Sequence, residues 1–282
     1  MDNNNEFSIT PMNQMVNLEP GETYTFSITI LNPVNSTEEF EYKAYAAPYS
    51  VVSEDYDADI VTMADRTQMM NWITILNPTG SLAPNESTEI EFTIEVPENA
   101  PGGGQYAAII VGINNENKTH DNVAVTNVLE IASVVYAKVD GEIFHKGKVL
   151  ENNVPGFSAV APLTVSSLIN NEGNVHEIAE ITITATDFFT GEVLVSADLD
   201  NGTYAELIMP DSTKFISKEV NDLPLVGVVK IEQSIYYNYS VSTVEKNVII
   251  CPIWFLALVF LTFGAIVAGI VRAIRRHRKK EF

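Results

Sequence analysis

Three aspartates at alternate positions are the side chains best spaced for metal chemistry. Asp55, Asp57 and Asp59 resemble the start of a calcium-binding loop, which places carboxylates at its first, third and fifth positions. Such a loop also needs glycine at its sixth position and glutamate at its twelfth, where this chain has Ile60 and Arg66. We therefore interpret the segment as a solvated acidic loop, and a metal site there is the weaker alternative.

The other residues with catalytic potential lack the spacing that catalysis requires. His120, His145 and His176 are isolated in the sequence, and neither an H-x-x-x-H nor an HExxH pattern occurs. The glycines at 102–104 lack the lysine and the helix start of a phosphate loop, so we expect a turn before a strand at 105–111. We expect His176 to pack or to hydrogen-bond at the start of a strand. The sequence therefore predicts no enzyme, no cofactor and no metal.

Four aromatic residues are the candidates for ligand binding. Tyr45, Tyr49, Tyr56 and Trp72 lie in one region of the chain, and aromatic rings stack on sugars, so we predict a glycan-binding surface there. The alternative is structural, since a lone tryptophan in a β-sandwich usually lies in the core. Period-two alternation would likewise bury half of the tyrosines.

Charge and composition exclude several classes of protein. The 282 residues include 37 acidic and 16 basic side chains, for a net charge of −21. Six of the basic residues lie in the last eleven positions, so the first 271 residues carry a net −26. A body this negative repels phosphate backbones, which excludes nucleic acid as a ligand. Hydrophobic residues make up 46%, which argues against a disordered acidic tail. The single cysteine, Cys251, allows no intramolecular disulfide.

The C-terminal part of the chain has the composition of a membrane anchor. Val248 to Val271 contains no charged residue and, as a helix, would span roughly 36 Å against a hydrocarbon core of about 30 Å. Arg272 to Lys280 follows, and such basic flanks stay in the cytoplasm, so we predict a single-pass plasma-membrane protein with residues 1–247 outside. Residues 1–6 lack the features of a signal sequence, so we expect an N-terminus that is truncated, mis-started or processed.

The region before the anchor has the periodicity of β-strands. Apolar and polar residues alternate strictly at 24–30, 90–96 and 181–185, which places one face of each strand on a core and the other in water. Turn signals such as Pro20-Gly21 and Asn77-Pro78 separate these runs. We therefore predict an all-β fold of two tandem immunoglobulin-like β-sandwiches, followed by a single C-terminal transmembrane helix.

The domain boundaries follow from shifts in composition. An apolar run from Val123 to Val139 indicates the last strand of the first sandwich, and Asp140-Gly141 begins a polar segment. We predict four parts of the chain: a first sandwich at 1–139, a second at 140–247, the transmembrane helix at 248–271 and a basic cytoplasmic tail at 272–282.

Several short phrases resemble a bacterial surface family. In the first domain the phrases are Phe7 to Pro11, Leu18 to Glu22, Asn71 to Ile73 and Val96 to Tyr106. Their order resembles the peptidoglycan-binding domain of WxL-interacting proteins. In the second domain, Asn171 to His176 resembles the N-x-G-N-V-H phrase of the immunoglobulin-like domain that follows in those proteins. The resemblance covers most of residues 7 to 247.

This resemblance carries functional expectations. It implies a protein of a Gram-positive-type cell whose first domain binds peptidoglycan or another wall glycan and whose second domain binds other cell-surface proteins. It also accounts for an extracellular region without cysteine. No ligand-contact residue of that family can be carried over, and the second domain is shorter than the host-binding domain of such proteins.

The start of the first domain also resembles, more distantly, the domains of periplasmic pilus chaperones. The shared feature is a Pro-Gly turn at 20–21, followed by an alternating strand and Asn32. The sequence shows no evident basic anchor for the carboxylate of a pilus subunit.

Two hypotheses of function follow. In the first, the chain is a non-enzymatic, membrane-anchored adhesion or scaffold protein that binds cell-wall glycan, other surface proteins, or both. In the alternative, it is a surface or chaperone-like protein that binds a partner polypeptide by sheet-edge pairing, without glycan binding.

Overall fold

The chain divides into two compact units. The computed structural model describes residues 7–34, 36, 39–115, 127–160, 162–199 and 201–278. Unit 1 comprises Met1–Gly147, Asn170–Glu177 and Ile208–Lys214, and unit 2 comprises Lys148–Ile169, Ile178–Leu207 and Phe215–Phe282. Residues 1–6 and 123–126, His120, and the end of the basic tail at 279–282 lie outside the described residues.

Unit 1 contains the first eleven strands. They are β1 (Ser8–Thr10), β2 (Asn13–Leu18), β3 (Thr23–Leu31), β4 (Phe40–Pro48), β5 (Ser50–Val52), β6 (Asp57–Asp59), β7 (Ile73–Ile75), β8 (Thr79–Leu82), β9 (Ser87–Glu95), β10 (Gly103–Asn115) and β11 (Asn127–Val139). One sheet has the order β1-β3-β9-β7, the other β2-β11-β10-β4-β8, and β5 pairs with β6 as a separate hairpin.

The two larger sheets of unit 1 enclose one hydrophobic core. The predicted alternation in β9 is confirmed, because Ile90, Phe92 and Ile94 are all fully buried. In β3 the same alternation buries Ile28 and Ile30, and leaves Tyr24 and Phe26 partly buried against the same core. β10 is buried on both faces, so its sequence is apolar without alternation, as expected for a covered central strand.

A short 3₁₀ helix closes one side of this core. It spans Asp65–Trp72, and its Met69 is fully buried among the core residues. The side chain of Thr67 accepts a hydrogen bond from the N–H of Ala64 (2.8 Å) and donates one to the carbonyl of Ala64 (2.9 Å). These two bonds satisfy backbone groups at the start of the helix. The sequence analysis did not predict this helix, which has no apolar stripe long enough to detect.

Unit 2 is built mainly from the remaining strands. They are β12 (Gly147–Asn153), β13 (Phe157–Ser158), β14 (Leu163–Asn171), β15 (Glu177–Asp187), β16 (Val193–Val195), β17 (Thr203–Ile208), β18 (Ser212–Val220), β19 (Gly227–Tyr237) and β20 (Ser240–Ile250). One sheet has the order β12-β14-β18, and the other β13-β20-β19-β15-β16 with β17 also on β15. The alternation predicted at 181–185 is confirmed, because Ile181, Ile183 and Ala185 are buried.

The two units together confirm a mostly β chain, and they place the division differently from the sequence pattern. The predicted break after Val139 lies inside unit 1, which continues to Gly147. Unit 1 also takes in two later pieces of chain, which we call the first inserted segment (Asn170–Glu177) and the second inserted segment (Ile208–Lys214). Local composition carries no signal for such a division, because it depends on contacts between distant parts of the chain.

One helix follows the last strand. The helix α1 spans Ile253–Arg278, and its stretch Ile253–Arg272 has a mean hydropathy of 2.5 and is not buried in the protein. By length and composition it is the one helix among the described residues that could cross a membrane.

The helix begins later than the predicted start at Val248. Val248 and Ile250 are buried core residues of β20, where they pair with Val229 and Gly227 of β19. Hydropathy alone does not separate the apolar end of a core strand from an adjoining apolar helix. The helix starts directly after Pro252, whose carbonyl accepts hydrogen bonds from the N–H groups of Phe255 (2.9 Å) and Leu256 (3.2 Å).

Candidate functional site

Strand β11 is paired along its whole length on one side and along half of its length on the other. On one side β10 pairs with all of it, from Asn127 to Val139. On the other side β2 pairs in parallel with residues 134–139 only. Within the part of the chain that the structure describes, residues 127–133 therefore have a free edge, which we call the open edge of β11.

The direction of the backbone hydrogen bonds shows which groups this edge presents. The N–H of Val134 donates to the carbonyl of Met12 (3.0 Å), and the N–H of Asp140 donates to that of Leu18 (2.8 Å). Alternate residues of a strand direct their peptide groups to the same edge. The N–H and C=O groups of Glu130 and Ala132 therefore point away from β10, toward the open edge.

On the face that covers the core, the open edge carries two apolar side chains, and the buried Ser133, which donates to the carbonyl of Pro11 (2.7 Å). Leu129 is 42% exposed, and Ile131 is partly buried against the core of unit 1. On the opposite face Glu130 accepts a hydrogen bond from the hydroxyl of Tyr45 (2.9 Å). An edge with unpaired peptide groups and exposed apolar side chains is a template for pairing with another strand.

Strand β20 of unit 2 repeats this arrangement with different side chains. It pairs with all of β19, but β13 pairs in parallel with Ile249 and Ile250 only. Along the unpaired part, Glu245 forms an ion pair with Lys230 (2.9 Å), and Lys246 donates to the carbonyl of Val154 (3.0 Å). Charged side chains of this kind blunt a sheet edge.

The four aromatic residues predicted to bind glycan lie in different environments. Tyr45 is on the outer face of β4 beside Glu130, and Trp72 packs against the core at the end of the 3₁₀ helix. Tyr49 accepts a hydrogen bond from the hydroxyl of Tyr136 (3.3 Å). Tyr56 shares a hydrogen bond with Ser212 (2.5 Å) and accepts one from the N–H of Met209 (2.9 Å). The structure therefore brings Tyr49 and Tyr56 near each other, and places Tyr45 and Trp72 elsewhere.

Tyr49 instead belongs to a cluster of aromatic side chains on the outer face of the five-stranded sheet. Tyr136 contacts Tyr49, Tyr106 and His176 edge to face, with ring centroids 5.7, 6.0 and 5.9 Å apart. Burial raises the pKa of the Tyr106 and Tyr136 hydroxyls above their usual range. The cluster thus covers that face of the sheet and supports the first inserted segment, which carries His176.

His176 meets the expectation that it packs and hydrogen-bonds at a strand start. Its ring nitrogen Nδ1 lies 3.2 Å from the Tyr106 hydroxyl, which also accepts a hydrogen bond from the His176 N–H (3.1 Å). Burial lowers the pKa of the imidazole, and the nearby Glu177 carboxylate opposes this effect. The ring is therefore held neutral as a packing group.

A cleft of about 500 Å³ lies beside this cluster within unit 1. Its lining includes Tyr49, Tyr106, Gln105 and Arg66, together with Asp211 of the second inserted segment. Arg66 donates to the Asp211 carboxylate through Nε (3.0 Å) and Nη2 (2.8 Å), and through Nη1 to the carbonyl of Asn174 (3.1 Å). The cleft therefore contains a cation that is already neutralised. Sequence reasoning missed this pair, because its partners lie far apart in the chain.

The three alternate aspartates act within their own turn. Ser53 donates through its hydroxyl to Asp57 (3.1 Å) and accepts from the N–H of Asp55 (3.2 Å). Asp59 accepts from the N–H groups of Val61 (2.9 Å) and Thr62 (3.0 Å). Hydrogen bonds from the Thr62 side chain and from these backbone groups lower the pKa of Asp59. The carboxylates of Asp57 and Asp59 thus help to shape the hairpin and the chain that follows it.

The phrase at 171–176 also has a local structural role. The Asn171 side chain donates to the carbonyls of Val175 (2.9 Å) and Ile208 (3.0 Å) and accepts from the N–H of Gly173 (2.9 Å). The Asn174 side chain accepts from the N–H of Phe144 (2.9 Å). These asparagines hold a turn together, which is a requirement that unrelated β-sandwiches can share.

Comparison with known proteins gives structural matches only. No family model matches the chain, and no curated protein matches it. The class 5 fimbriae chaperone CfaA is similar in structure (13% identity, TM-score 0.40), with 86% of this chain and 99% of that chain covered. The complex of Salmonella enterica SafA pilin with the SafB chaperone matches at 10% identity and TM-score 0.40, covering 86% and 96%. The E. coli chaperone DraB matches at 13% and 0.39, also covering 86% and 96%.

These findings correct the resemblance on which the first hypothesis was built. The identification as a WxL-interacting protein is wrong: no family model matches the chain, and the three similar structures named above contain chaperones. The peptidoglycan-binding role that depended on that identification is not supported either. Short phrases such as the one at 171–176 led to the error, because their residues serve turns rather than a family-specific ligand.

Proposed function

We propose that this chain is a non-enzymatic protein that binds a partner polypeptide by adding a strand of the partner to the open edge of β11. This is the alternative of the two hypotheses drawn from the sequence. The observation that carries it is the half-paired strand itself, because pairing with β2 begins only at Val134, whereas pairing with β10 begins at Asn127. A partner strand would lie beside residues 127–133, in line with β2, and would extend the edge of the five-stranded sheet.

The open edge is long enough for such an addition. Residues 127–133 extend for roughly 20 Å at about 3.3 Å per residue, which is the length of an ordinary strand. Each new ladder hydrogen bond would contribute about 0.5–1.5 kcal/mol, and the peptide groups of Glu130 and Ala132 are directed outward to form them. Backbone bonds of this kind give affinity for many sequences.

Selection among partners would come from the side chains beside the edge. Leu129 and Ile131 lie on the same face of β11, next to the core. A partner strand with apolar residues at alternate positions would cover Leu129 and extend that core, whereas a polar strand would leave it exposed. Among the similar solved structures is a chaperone in complex with a pilin, and an extended polypeptide is the class of ligand that this edge favours on its own geometry.

The same proposal places the protein at a membrane. The helix α1 is long and apolar enough to span a bilayer, and a basic run that includes Arg272, Arg275 and Arg276 follows its apolar part. Basic residues next to a span remain on the cytoplasmic side. We therefore propose that both β units lie on the outer side of the membrane, where they meet their partner.

Crosslinking followed by hydrogen exchange tests the proposed function. A photoreactive residue at Leu129 in the full chain should capture a partner protein in the cells that make it, while the same residue at Val241 on β20 serves as the matched control. In the purified complex, the amides of Glu130 and Ala132 should gain protection from exchange. The amides of Leu129 and Ile131 should change little, because they already face β10.

The two measurements together decide the proposal. Capture at Leu129 with new protection at Glu130 and Ala132 supports strand addition. A captured protein that protects none of the β11 amides would show that the partner binds elsewhere, and the edge-pairing function would be wrong.

A further inference from the structure

Unit 2 has an exposed apolar surface at the end from which α1 leaves. We propose that this end, with Phe157, Phe188, Phe189, Leu225 and Ile249, inserts into the headgroup region of the bilayer that α1 spans. We call these five residues the basal surface. The inference rests on the proposed membrane anchoring, and it adds that unit 2 itself touches the membrane.

Strand register brings the basal residues to one end of the sheet. Ile250, the last residue of β20, pairs with Gly227, the first residue of β19, so Leu225 lies just beyond this pair. Phe157 of β13 pairs with Ile249. The turn after β15 joins the same end, because the N–H of Phe188 donates to the carbonyl of Val228 (3.0 Å).

The side chains at this end are large, apolar and exposed. Phe189 is 77% exposed and Leu225 is 71% exposed, and Phe157, Phe188 and Ile249 are each exposed as well. Phe188 and Phe189 pack against each other edge to face, with centroids 5.3 Å apart. Exposed apolar groups gathered at one end of a domain mark a contact surface, and a bilayer accepts them without a specific partner.

The connection between the sheet and the helix is very short. Only Cys251 and Pro252 separate β20 from α1, and both are buried. The N–H of Cys251 donates to the carbonyl of Ser158 (2.9 Å), so the chain is still bonded to unit 2 at that point. Two residues span at most about 7 Å. If α1 enters the bilayer at Ile253, the end of unit 2 lies at the membrane surface.

The chemistry of this end fits a headgroup layer rather than the hydrocarbon core. The polar residues Thr190, Glu192 and Asp222 are exposed among the apolar ones. The Asp187 carboxylate is already used, since it accepts from the N–H groups of Phe189 (2.9 Å) and Thr190 (2.8 Å). Trp254, exposed in the first turn of α1, adds an aromatic ring of the kind enriched at membrane interfaces.

Site-specific fluorescence quenching tests the proposal in the full chain. In a Cys251→Ala background, a polarity-sensitive fluorophore would be attached at Phe189→Cys or Leu225→Cys. The protein would be reconstituted into phosphatidylcholine vesicles in which a fraction of the lipid carries a nitroxide near the headgroup. Both probes should lose fluorescence relative to vesicles without nitroxide.

The matched control is the opposite end of the same hairpin. Tyr239 is 99% exposed in the turn between β19 and β20, eleven residue pairs from the basal end, or roughly 33 Å. A probe at Tyr239→Cys should keep its fluorescence. A probe at Leu261→Cys, within α1, should be quenched by lipid that carries the nitroxide deep in its acyl chain.

Three other outcomes would contradict the proposal. They also distinguish a failure of the basal contact from a failure of the membrane anchor. Quenching at Leu261 without quenching at Phe189 and Leu225 would mean that the helix spans the bilayer while the basal surface faces water or a protein. Absence of quenching at Leu261 would remove the anchor and the basal contact together. Equal quenching at Phe189 and Tyr239 would indicate unspecific adsorption of unit 2.

Discussion

The open edge of β11 and the free part of β20 are two versions of one arrangement. In each unit the penultimate strand pairs with the whole of the last long strand, and a short N-terminal strand pairs in parallel with the end of that strand. The difference lies in what stands beside the free part. β11 presents Leu129 and Ile131 together with a single charged residue, Glu130, whereas β20 presents the two charged residues Glu245 and Lys246.

The same half-paired strand occurs in both units, so strand order alone does not turn a free edge into a binding site. The two free edges have the same kind of unpaired peptide groups, but charged side chains raise the cost of bringing another strand alongside β20. Lys246 also bonds to the carbonyl of Val154, across the side of β20 that a partner would approach. The open edge of β11 has one charged side chain, Glu130, which is hydrogen-bonded to Tyr45 on the outer face, so we assign the proposed function to unit 1.

The largest expected effect is a loss of folding stability in unit 1 when a core side chain beneath the open edge of β11 is truncated. Phe92 is fully buried between the sheets of unit 1, so Phe92→Ala should destabilise that unit by about 3–5 kcal/mol. Phe26→Ala should cost less, because Phe26 is only partly buried. Denaturant unfolding, followed by hydrogen exchange of the β10 amides, measures both changes. Equal costs at the two positions would show that the packing of Phe26 has been misjudged.

A smaller effect is expected from blocking the edge without disturbing the core. Ala132→Pro removes an N–H group that faces the open edge, where proline is tolerated. Partner binding should weaken by at least about tenfold, since one ladder bond is lost and the ring crowds the incoming strand. Titration of the captured partner onto the variant measures this change.

The control for that variant is Val241→Pro. The N–H groups of Ile249 and Cys251 donate toward β13 and the chain around it, so by alternation the N–H of Val241 also faces the free side of β20. The same substitution there should leave binding unchanged. Loss of binding in both variants would assign the function to β20 as well and would remove the contrast between the two edges.

The smallest effect concerns the pH dependence of the stability of unit 1, which contains His176. Burial lowers the pKa of His176, so the folded protein favours the neutral ring. The unfolded chain therefore binds more protons below the ordinary histidine pKa of about 6.5. The stabilisation that this lowered pKa provides is complete above that value, and it is lost as the pH falls from there through the lower pKa of the folded state.

Thermal unfolding on either side of this pH measures the loss. His176→Asn should remove the acid-dependent part of the change that this imidazole causes. Unchanged acid sensitivity in His176→Asn would mean that another group titrates in this range.

The strands could be predicted because period two is a local property. Phe92, Ile183 and their neighbours alternate in the sequence and are buried in the structure as expected. The open edge of β11 could not be predicted, because it depends on where β2 stops pairing. The apolar run that ends at Val139 gave no sign that Leu129 is exposed while Val135 is fully buried.

For the candidate residues, too, the sequence predicted local packing but not contacts between distant parts of the chain. His176 was expected to pack at a strand start, and it does. The grouping of Tyr45, Tyr49, Tyr56 and Trp72 assumed that neighbours in sequence share a surface, whereas the structure brings together only Tyr49 and Tyr56 and directs Tyr45 and Trp72 elsewhere. Arg66 and Asp211 meet only through the second inserted segment, which no local pattern reveals.

The short junction between β20 and α1 also has a mechanical consequence. A pull on the protein against its anchor would act along β20, since only Cys251 and Pro252 lie between them. The ladder bonds to β19 run across the strand along all eleven residues. The load would therefore fall on the whole ladder in shear at once, rather than peeling one bond after another. If α1 is the membrane anchor proposed above, unit 2 would transmit tension between the bilayer and a bound partner.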